Sequence, residues 1–142
     1  MSDTQLLAHA VKALHYRLLK VTHGSTEHFG DYRISSHTRS PNEILNHMDD
    51  LVTKTITMIE EGHFNCPLPE VLDFDGERNR LVDGLHKLQK AIEITPIEDD
   101  VGKRLLQGPI LDIATHIGQL AMLNGLNGNK IASESYYRAE MS

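Results

Sequence analysis

Two residues of chemical interest lie one helical turn apart in the last third of the chain. Asp112 and His116 are four positions apart in a segment with apolar residues at helical spacing, so both side chains project from one face of a helix. At this spacing one helix can offer two donors to a single metal ion. The alternative is a solvated helix face on which Asp112 complements the positive helix N-terminus. The same face turns apolar at Leu123 and Leu126, which favours a pocket near the end of a bundle.

A third candidate, His47, belongs to a different segment with helical periodicity. It lies about a quarter-turn from the centre of that segment's apolar stripe, at an edge that faces a groove between helices. Helical bundles place metal and cofactor sites in such grooves. The alternative is a partly exposed histidine whose ring serves as packing surface.

Together these three side chains would make a ligand set for one divalent ion. If the two helices run parallel, His47 and His116 lie at similar distances from their helix starts and can meet at one depth. Two neutral imidazoles and the Asp112 carboxylate suit Zn(II), Ni(II), Fe(II) or Mn(II) and leave positions for water and substrate. Such a site can lower the pKa of bound water or hold a substrate thiol in its deprotonated form.

The helix that carries His47 has the clearest start in the chain. Ser40 can cap it, Pro41 suits the first helical position, and Glu43 can reach back to the amide of the cap. Its apolar residues continue at helical spacing until Gly62, where we expect it to stop.

Two further helices are expected to complete the scaffold around it. The first of the chain runs from about Thr4 to Val21, with Ser2 in position to form a capping box. The third spans roughly Gly76 to Ile94 and is entered from Asp73 or Asp75.

The fourth helix, which carries Asp112 and His116, is expected to open at Gly108-Pro109 and to run to about Leu126. Residues 22–39, 63–73 and 95–107 are expected to be loops, and residues 130–142 a C-terminal tail with at most one helical turn. No stretch alternates as a β-strand would. The fold class is therefore all-α, an antiparallel four-helix bundle in a single domain of residues 1–142, with the order of the helices left open.

Composition indicates the class of protein and its cellular location. With 142 residues, 39% of them apolar and 24% charged, the chain is expected to be globular with one core. No apolar run approaches the roughly 20 residues that cross a bilayer, and the N-terminus lacks the pattern of a secretory signal. The single cysteine, Cys66, cannot form an internal disulfide. We therefore expect a cytoplasmic protein with no membrane partner.

Charge argues against nucleic acid as a partner. The net charge is −6, and 14 basic residues are scattered among 20 acidic ones, whereas a phosphate-binding face concentrates Lys and Arg. Aromatic residues make up only 5%, too few for a base-stacking platform. A small-molecule substrate is the expected partner.

Two motifs resemble those of the DinB/YfiT-like metalloenzymes. The run Ser40–Leu51, SPNEILNHMDDL, resembles their second-helix motif, in which a small residue and a proline precede a helix that bears the first metal histidine. The run His116–Leu120, HIGQL, resembles their fourth-helix motif, in which Gly-Gln and an aliphatic residue follow a histidine. Each motif is short; their joint occurrence in order, with matching helix number and chain length, is the stronger signal.

The resemblance implies a four-helix bundle, often a homodimer, with nickel or zinc on three histidines. Carried over by position, the first ligand is His47 and the third is His116, but the second position holds Asp112 instead of histidine. Aspartate is shorter than histidine and a harder donor, so a different metal, weaker binding or an empty site would follow.

The resemblance also implies the reaction class. Family members with known activities include S-transferases that use low-molecular-weight thiols, together with related isomerases and hydrolases. We therefore expect a metal-dependent enzyme that transfers a low-molecular-weight thiol to a small electrophile. The alternatives are a metal-dependent hydrolase, or a non-catalytic bundle that binds a ligand or partner and whose metal site has decayed at Asp112.

Overall fold

The computed structural model describes residues 1–141, which form helices and loops with no strand in that range, as expected of an all-α protein. The helices are α1 (Asp3–Val21), α2 (Pro41–Glu61), α3 (Phe74–Ile94), α4 (Asp99–Leu105) and α5 (Leu111–Leu126). Short 3-10 helices cover Glu27–Asp31 and Tyr136–Arg138, and a π-helical turn, Leu106–Ile110, joins α4 to α5. Among these residues no helix has the length and apolar character needed to span a membrane.

The helix starts expected from the sequence are confirmed for α1, α2 and α3. At α2 the Ser40 hydroxyl accepts from the Glu43 amide at 3.3 Å, and the Glu43 carboxylate accepts from the Ser40 amide at 2.9 Å. Ser2 forms the same capping box at α1, and Asp73 caps α3. Gly62 ends α2 with φ at 83°, the left-handed backbone that favours glycine.

The expectation for the fourth helix is wrong at its start. Most of the expected loop 95–107 is helical, because α4 begins at Asp99 and the π-helical turn carries the helix into α5. Pro109 lies inside that turn rather than at a helix start. Proline cannot donate to the carbonyl four residues before it, and a wider turn accommodates this missing bond. The buried Leu105 ties α4 to the core.

Side-chain contacts at the helix ends fix the direction of α1, α3 and α5. The Asn124 amide donates to the Val21 carbonyl at 2.7 Å, so α1 and α5 end side by side and run parallel. Arg78, near the start of α3, donates from Nε to the Thr22 hydroxyl just beyond the end of α1 at 2.8 Å. The α3 helix therefore runs antiparallel to α1.

The direction of α2 follows from its contacts with α3. Asn46 donates to Glu77 at 3.1 Å, so both helices begin at the same end of the bundle and run parallel. It follows that α2 runs antiparallel to α5, and the parallel arrangement assumed from the sequence is wrong. Going around the bundle, the helices follow the order α1, α3, α2, α5.

The loop between α1 and α2, residues 22–40, is anchored to the bundle. Phe29 is fully buried and packs edge to face on Phe74, with ring centroids 5.8 Å apart. The Glu27 carboxylate accepts from the Phe74 amide at 3.0 Å. At Gly30 an added Cβ would lie 2.5 Å from the Asn42 side chain, so a glycine permits this close approach. These contacts hold the rest of the loop beside the start of α2.

Candidate metal centre

The structure brings His47 of α2 and His116 of α5 into direct contact. Their rings lie edge to face, with centroids 5.0 Å apart and planes at 87°. Both side chains are half-buried. His47 lies seven residues after the Ser40 cap, as expected. His116 lies farther from the start of its helical run than expected, because that run begins at Asp99, and it therefore meets His47 across antiparallel helices. We call His47 and His116 the histidine pair.

The spacing of the histidine pair fits shared coordination. Two imidazoles bound to one tetrahedral ion through nitrogens at roughly 2.0–2.1 Å have ring centroids about 5 Å apart. The observed 5.0 Å is compatible with that arrangement. It is also an ordinary distance for edge-to-face packing of two aromatic rings. The contact by itself is therefore compatible with metal coordination and with ordinary ring packing.

A glutamine fixes the orientation of one ring of the pair. The Gln119 side-chain oxygen lies 2.8 Å from Nδ1 of His116, one turn earlier on α5. An amide oxygen can only accept, so Nδ1 carries the proton and Nε2 keeps a free lone pair in the neutral ring. Metal-binding histidines commonly have such a partner on the second ring nitrogen. The sequence places Gln119 in the polar arc of the fourth helix and in the HIGQL run, but it does not predict the hydrogen bond to His116.

The surroundings favour the neutral form of His47. Burial lowers the pKa of His47, and the positive charge of Arg39 and the neighbouring His116 lower it further. Asp50 and Asp112 oppose this shift to a smaller extent. The neutral imidazole is the form that binds a metal ion. Arg39, which no sequence pattern singled out, therefore belongs to the surroundings of this centre.

Asp112 lies on the same helix as His116, in the first turn of α5, and is exposed. Its charge is near enough to affect His47. Within residues 1–141, however, no three His, Cys, Asp or Glu side chains are arranged to hold a metal ion. The alternative interpretation of Asp112, that it complements a helix N-terminus, does not fit, since the π-helical turn continues the helix upstream of it. The present donors suit a divalent ion bound by two imidazoles, with further positions open.

A cleft of about 400 Å³ reaches Gln119, the hydrogen-bond partner of His116. It lies between the α1–α2 loop, the start of α2 and the second half of α5. We call it the Arg39 cleft; it is lined by Ile34, His37, Thr38, Arg39, Ile44, Gln119, Met122 and Leu123. Gln119 belongs both to the cleft lining and to the hydrogen bond with His116. A molecule in the cleft would therefore reach the edge of the candidate metal centre.

Two other clefts contain no histidine among their lining residues. One, of about 330 Å³, lies between α1 and α4 and is mostly apolar. The other, of about 430 Å³, lies between α2 and α3 beside Asp49 and Arg80. Of the three, the Arg39 cleft alone is lined by a residue, Gln119, that hydrogen-bonds to a member of the histidine pair.

Fold and site together define the class of this protein: an all-α helical bundle with a half-buried histidine pair between two antiparallel helices. Comparisons of the chain with protein-family models, with curated proteins and with solved structures gave no significant match.

Proposed function

We propose that the protein is a metal-dependent enzyme that transfers a low-molecular-weight thiol to a small electrophilic molecule. The observation that carries the proposal is the contact of His47 and His116, two residues distant in sequence whose rings lie 5.0 Å apart beside an open cleft. A divalent ion, nickel or zinc before iron or manganese, would be held by His47 and His116, with Asp112 as the candidate third ligand.

The resemblance to DinB/YfiT-like metalloenzymes supports the proposal. The two motifs that carry it, SPNEILNHMDDL and HIGQL, lie far apart in the chain, yet their histidines meet in the folded protein. Convergence of this kind is expected if both motifs serve one site. In this interpretation the protein belongs among these enzymes, and a homodimer is the corresponding proposal for its assembly.

The reaction joins the thiol sulfur to the electrophilic carbon. A carbon–sulfur bond forms, the bond from that carbon to the leaving group breaks, and the leaving group departs with the electron pair. The proton of the thiol passes to solvent or to the leaving group. A divalent ion, when bound, favours the deprotonated form of a thiol.

The residues of this chain position and protect the reactants. Gln119 holds the His116 ring so that Nε2 faces away from the hydrogen bond, and burial lowers the pKa of His47, which favours its neutral form. The apolar side chains of the Arg39 cleft would contact an apolar part of the electrophile.

Metal analysis of protein purified without a nickel column tests the proposal. We expect about one divalent ion per chain in the wild type and its loss in His47→Ala and in His116→Ala, with the helical circular-dichroism spectrum retained. His86→Ala is the matched control, because His86 is an exposed histidine on α3. Wild-type protein that holds no metal after equilibration with zinc or nickel would refute the proposal.

An activity assay distinguishes the transferase from a hydrolase and from a non-catalytic binding protein. Metal-loaded protein is incubated with a low-molecular-weight thiol and a small alkyl halide, and thioether formation is followed by mass spectrometry. A thioether that depends on His47 and His116 supports the transferase. Hydrolysis of an ester or amide without thiol consumption would favour the hydrolase. A metal-loaded protein with neither activity would favour a non-catalytic binding role.

A further inference from the structure

The lining of the Arg39 cleft divides into an apolar part and a basic part. Its apolar members come from three elements and are Ile34, Ile44, Met122 and Leu123. Its basic member is Arg39, with His37 nearby in the same loop. No aspartate or glutamate is among the lining residues of the described chain. In a protein with a net charge of −6, this is an unusual local composition.

Arg39 is available to a ligand. Its guanidinium makes no hydrogen bond, ion pair or cation–π contact with any residue in the range 1–141, and the residue is exposed. The nearby Arg33, by contrast, is paired with Glu43 and with the Thr38 carbonyl. A guanidinium presents a planar fork of donors that matches a carboxylate, and a charge-assisted pair of this kind is among the strong hydrogen bonds.

The cleft is of small-molecule size. Its volume of about 400 Å³ is within the range of ligand pockets and too small for a folded partner. Pockets of this kind have an apolar lining with a few polar groups that fix the orientation of the ligand. The Gln119 oxygen accepts from His116, so its NH₂ group remains as a donor at the end of the cleft next to the histidine pair.

We propose that the Arg39 cleft binds a small molecule with an apolar body and a carboxylate group, the carboxylate on Arg39 and the body against Ile34, Ile44 and Met122. That this molecule is the electrophilic substrate rests on the proposed function. Its binding does not, since neither Arg39 nor the apolar residues belong to the metal ligand set. Arg39 is therefore a specificity-determining residue for the ligand.

Binding to metal-free protein tests the proposal independently of catalysis. Protein treated with EDTA and dialysed is titrated with phenylacetate, with the neutral phenylacetamide and with inorganic phosphate, and binding is followed by NMR chemical-shift changes. We expect phenylacetate to bind about tenfold more tightly than phenylacetamide, and inorganic phosphate to bind more weakly than phenylacetate because it lacks the apolar body.

Two variants test whether the preference for phenylacetate over phenylacetamide arises in the Arg39 cleft. Arg39→Gln should weaken phenylacetate binding about tenfold and leave phenylacetamide binding nearly unchanged. Arg104→Gln is the matched control, because Arg104 is an exposed arginine of α4 outside the cleft, and it should change neither. The expected shifts include the amides of Ile44, Gln119 and Met122.

Three results would overturn the inference: no phenylacetate binding at millimolar concentration, equal affinity for phenylacetate and phenylacetamide, or unchanged affinity in Arg39→Gln. Failure of the proposed function has a different signature, since a protein that holds no metal would still bind phenylacetate through Arg39. A protein that holds metal but does not distinguish phenylacetate from phenylacetamide would refute this inference alone.

Discussion

Asn46 donates a hydrogen bond of 3.1 Å to the carboxylate of Glu77, and Asn46 directly precedes His47. Glu77 is completely buried, accepts from the Leu72 amide at 3.0 Å and pairs with Arg80. This network sets the position of α2 on α3. Because His47 is the next residue along α2, the same network helps to position His47 from a neighbouring face of the helix.

Removing the Glu77 side chain should destabilise the fold severely. Glu77→Ala removes the acceptor of the Leu72 amide and one of the acceptors of Arg80 and of Asn46. We expect a loss of about 3–5 kcal/mol in the free energy of unfolding measured with urea. Glu77→Gln keeps one acceptor and should cost less. Glu93→Ala, at an exposed position of α3, should change stability little. Equal effects of Glu77→Ala and Glu93→Ala would contradict the role of the network.

Asp49 should make stability depend on pH. Burial raises the pKa of Asp49 above its usual 3.8, and Glu77 and Asp50 act in the same direction, against the opposing charges of Arg80 and Lys87. The folded state therefore binds the Asp49 proton more tightly than the unfolded state, so this residue's contribution to stability falls as pH rises from the usual value through the raised one.

Urea unfolding of wild type and Asp49→Asn at about pH 4 and about pH 7 measures this contribution. Asparagine does not titrate, so the stability of the wild type relative to Asp49→Asn should be lower at the higher pH. A relative stability that rises with pH would mean that the Arg80 charge outweighs burial at Asp49.

Gln119 should matter for metal binding without contacting the ion. Gln119→Leu removes the partner of His116 Nδ1 and should weaken zinc affinity by roughly ten- to a hundredfold. Gln107→Leu is the same change at an exposed position of the π-helical turn and should leave affinity unchanged. Competition with a zinc-sensitive dye gives both values. If the two variants bind zinc alike, the hydrogen bond does not support a metal centre.

Substitutions at Asp112 test whether it completes the ligand set. We expect Asp112→Ala to weaken zinc or nickel binding about tenfold, and Asp112→His to strengthen it, since a longer imidazole one turn before His116 adds a third nitrogen donor. Asp100→His, on α4, controls for added histidine alone. Should Asp112→Ala hold metal as well as the wild type, Asp112 is not a ligand.

Phe29 should link the stability of the bundle to the Arg39 cleft. Phe29→Ala removes a fully buried ring that packs on Phe74 and should cost about 3–5 kcal/mol in unfolding by urea. Hydrogen exchange should speed up most in residues 27–40, because Phe29 anchors that loop. Phe64→Ala, at a half-exposed ring, should have a small effect on both measurements. Unchanged exchange in residues 27–40 would show that other contacts hold the loop.

Helix caps and helix ends could be predicted from the sequence wherever the residues that form them lie close together in the chain. Ser40 and Glu43 form their capping box because the two residues are three apart, and Gly62 ends α2 because the left-handed backbone favours glycine. The same local rules misplaced the start of the last helix. Gly108-Pro109 looks like a helix start, but the packing of Leu105 and the wider π-helical turn keep the chain helical through it.

The sequence by itself determined four amphipathic helical segments and most of their ends. It also determined that His47 lies at the edge of an apolar stripe and that His116 lies in a polar arc, since these features depend on periodicity and on neighbours within one turn. Only the tertiary structure decided that α2 and α5 run antiparallel, that the two rings touch, and that Arg39 and Gln119 flank the pair. Those relationships join residues far apart in the chain, and their distances are set by how the helices pack on one another.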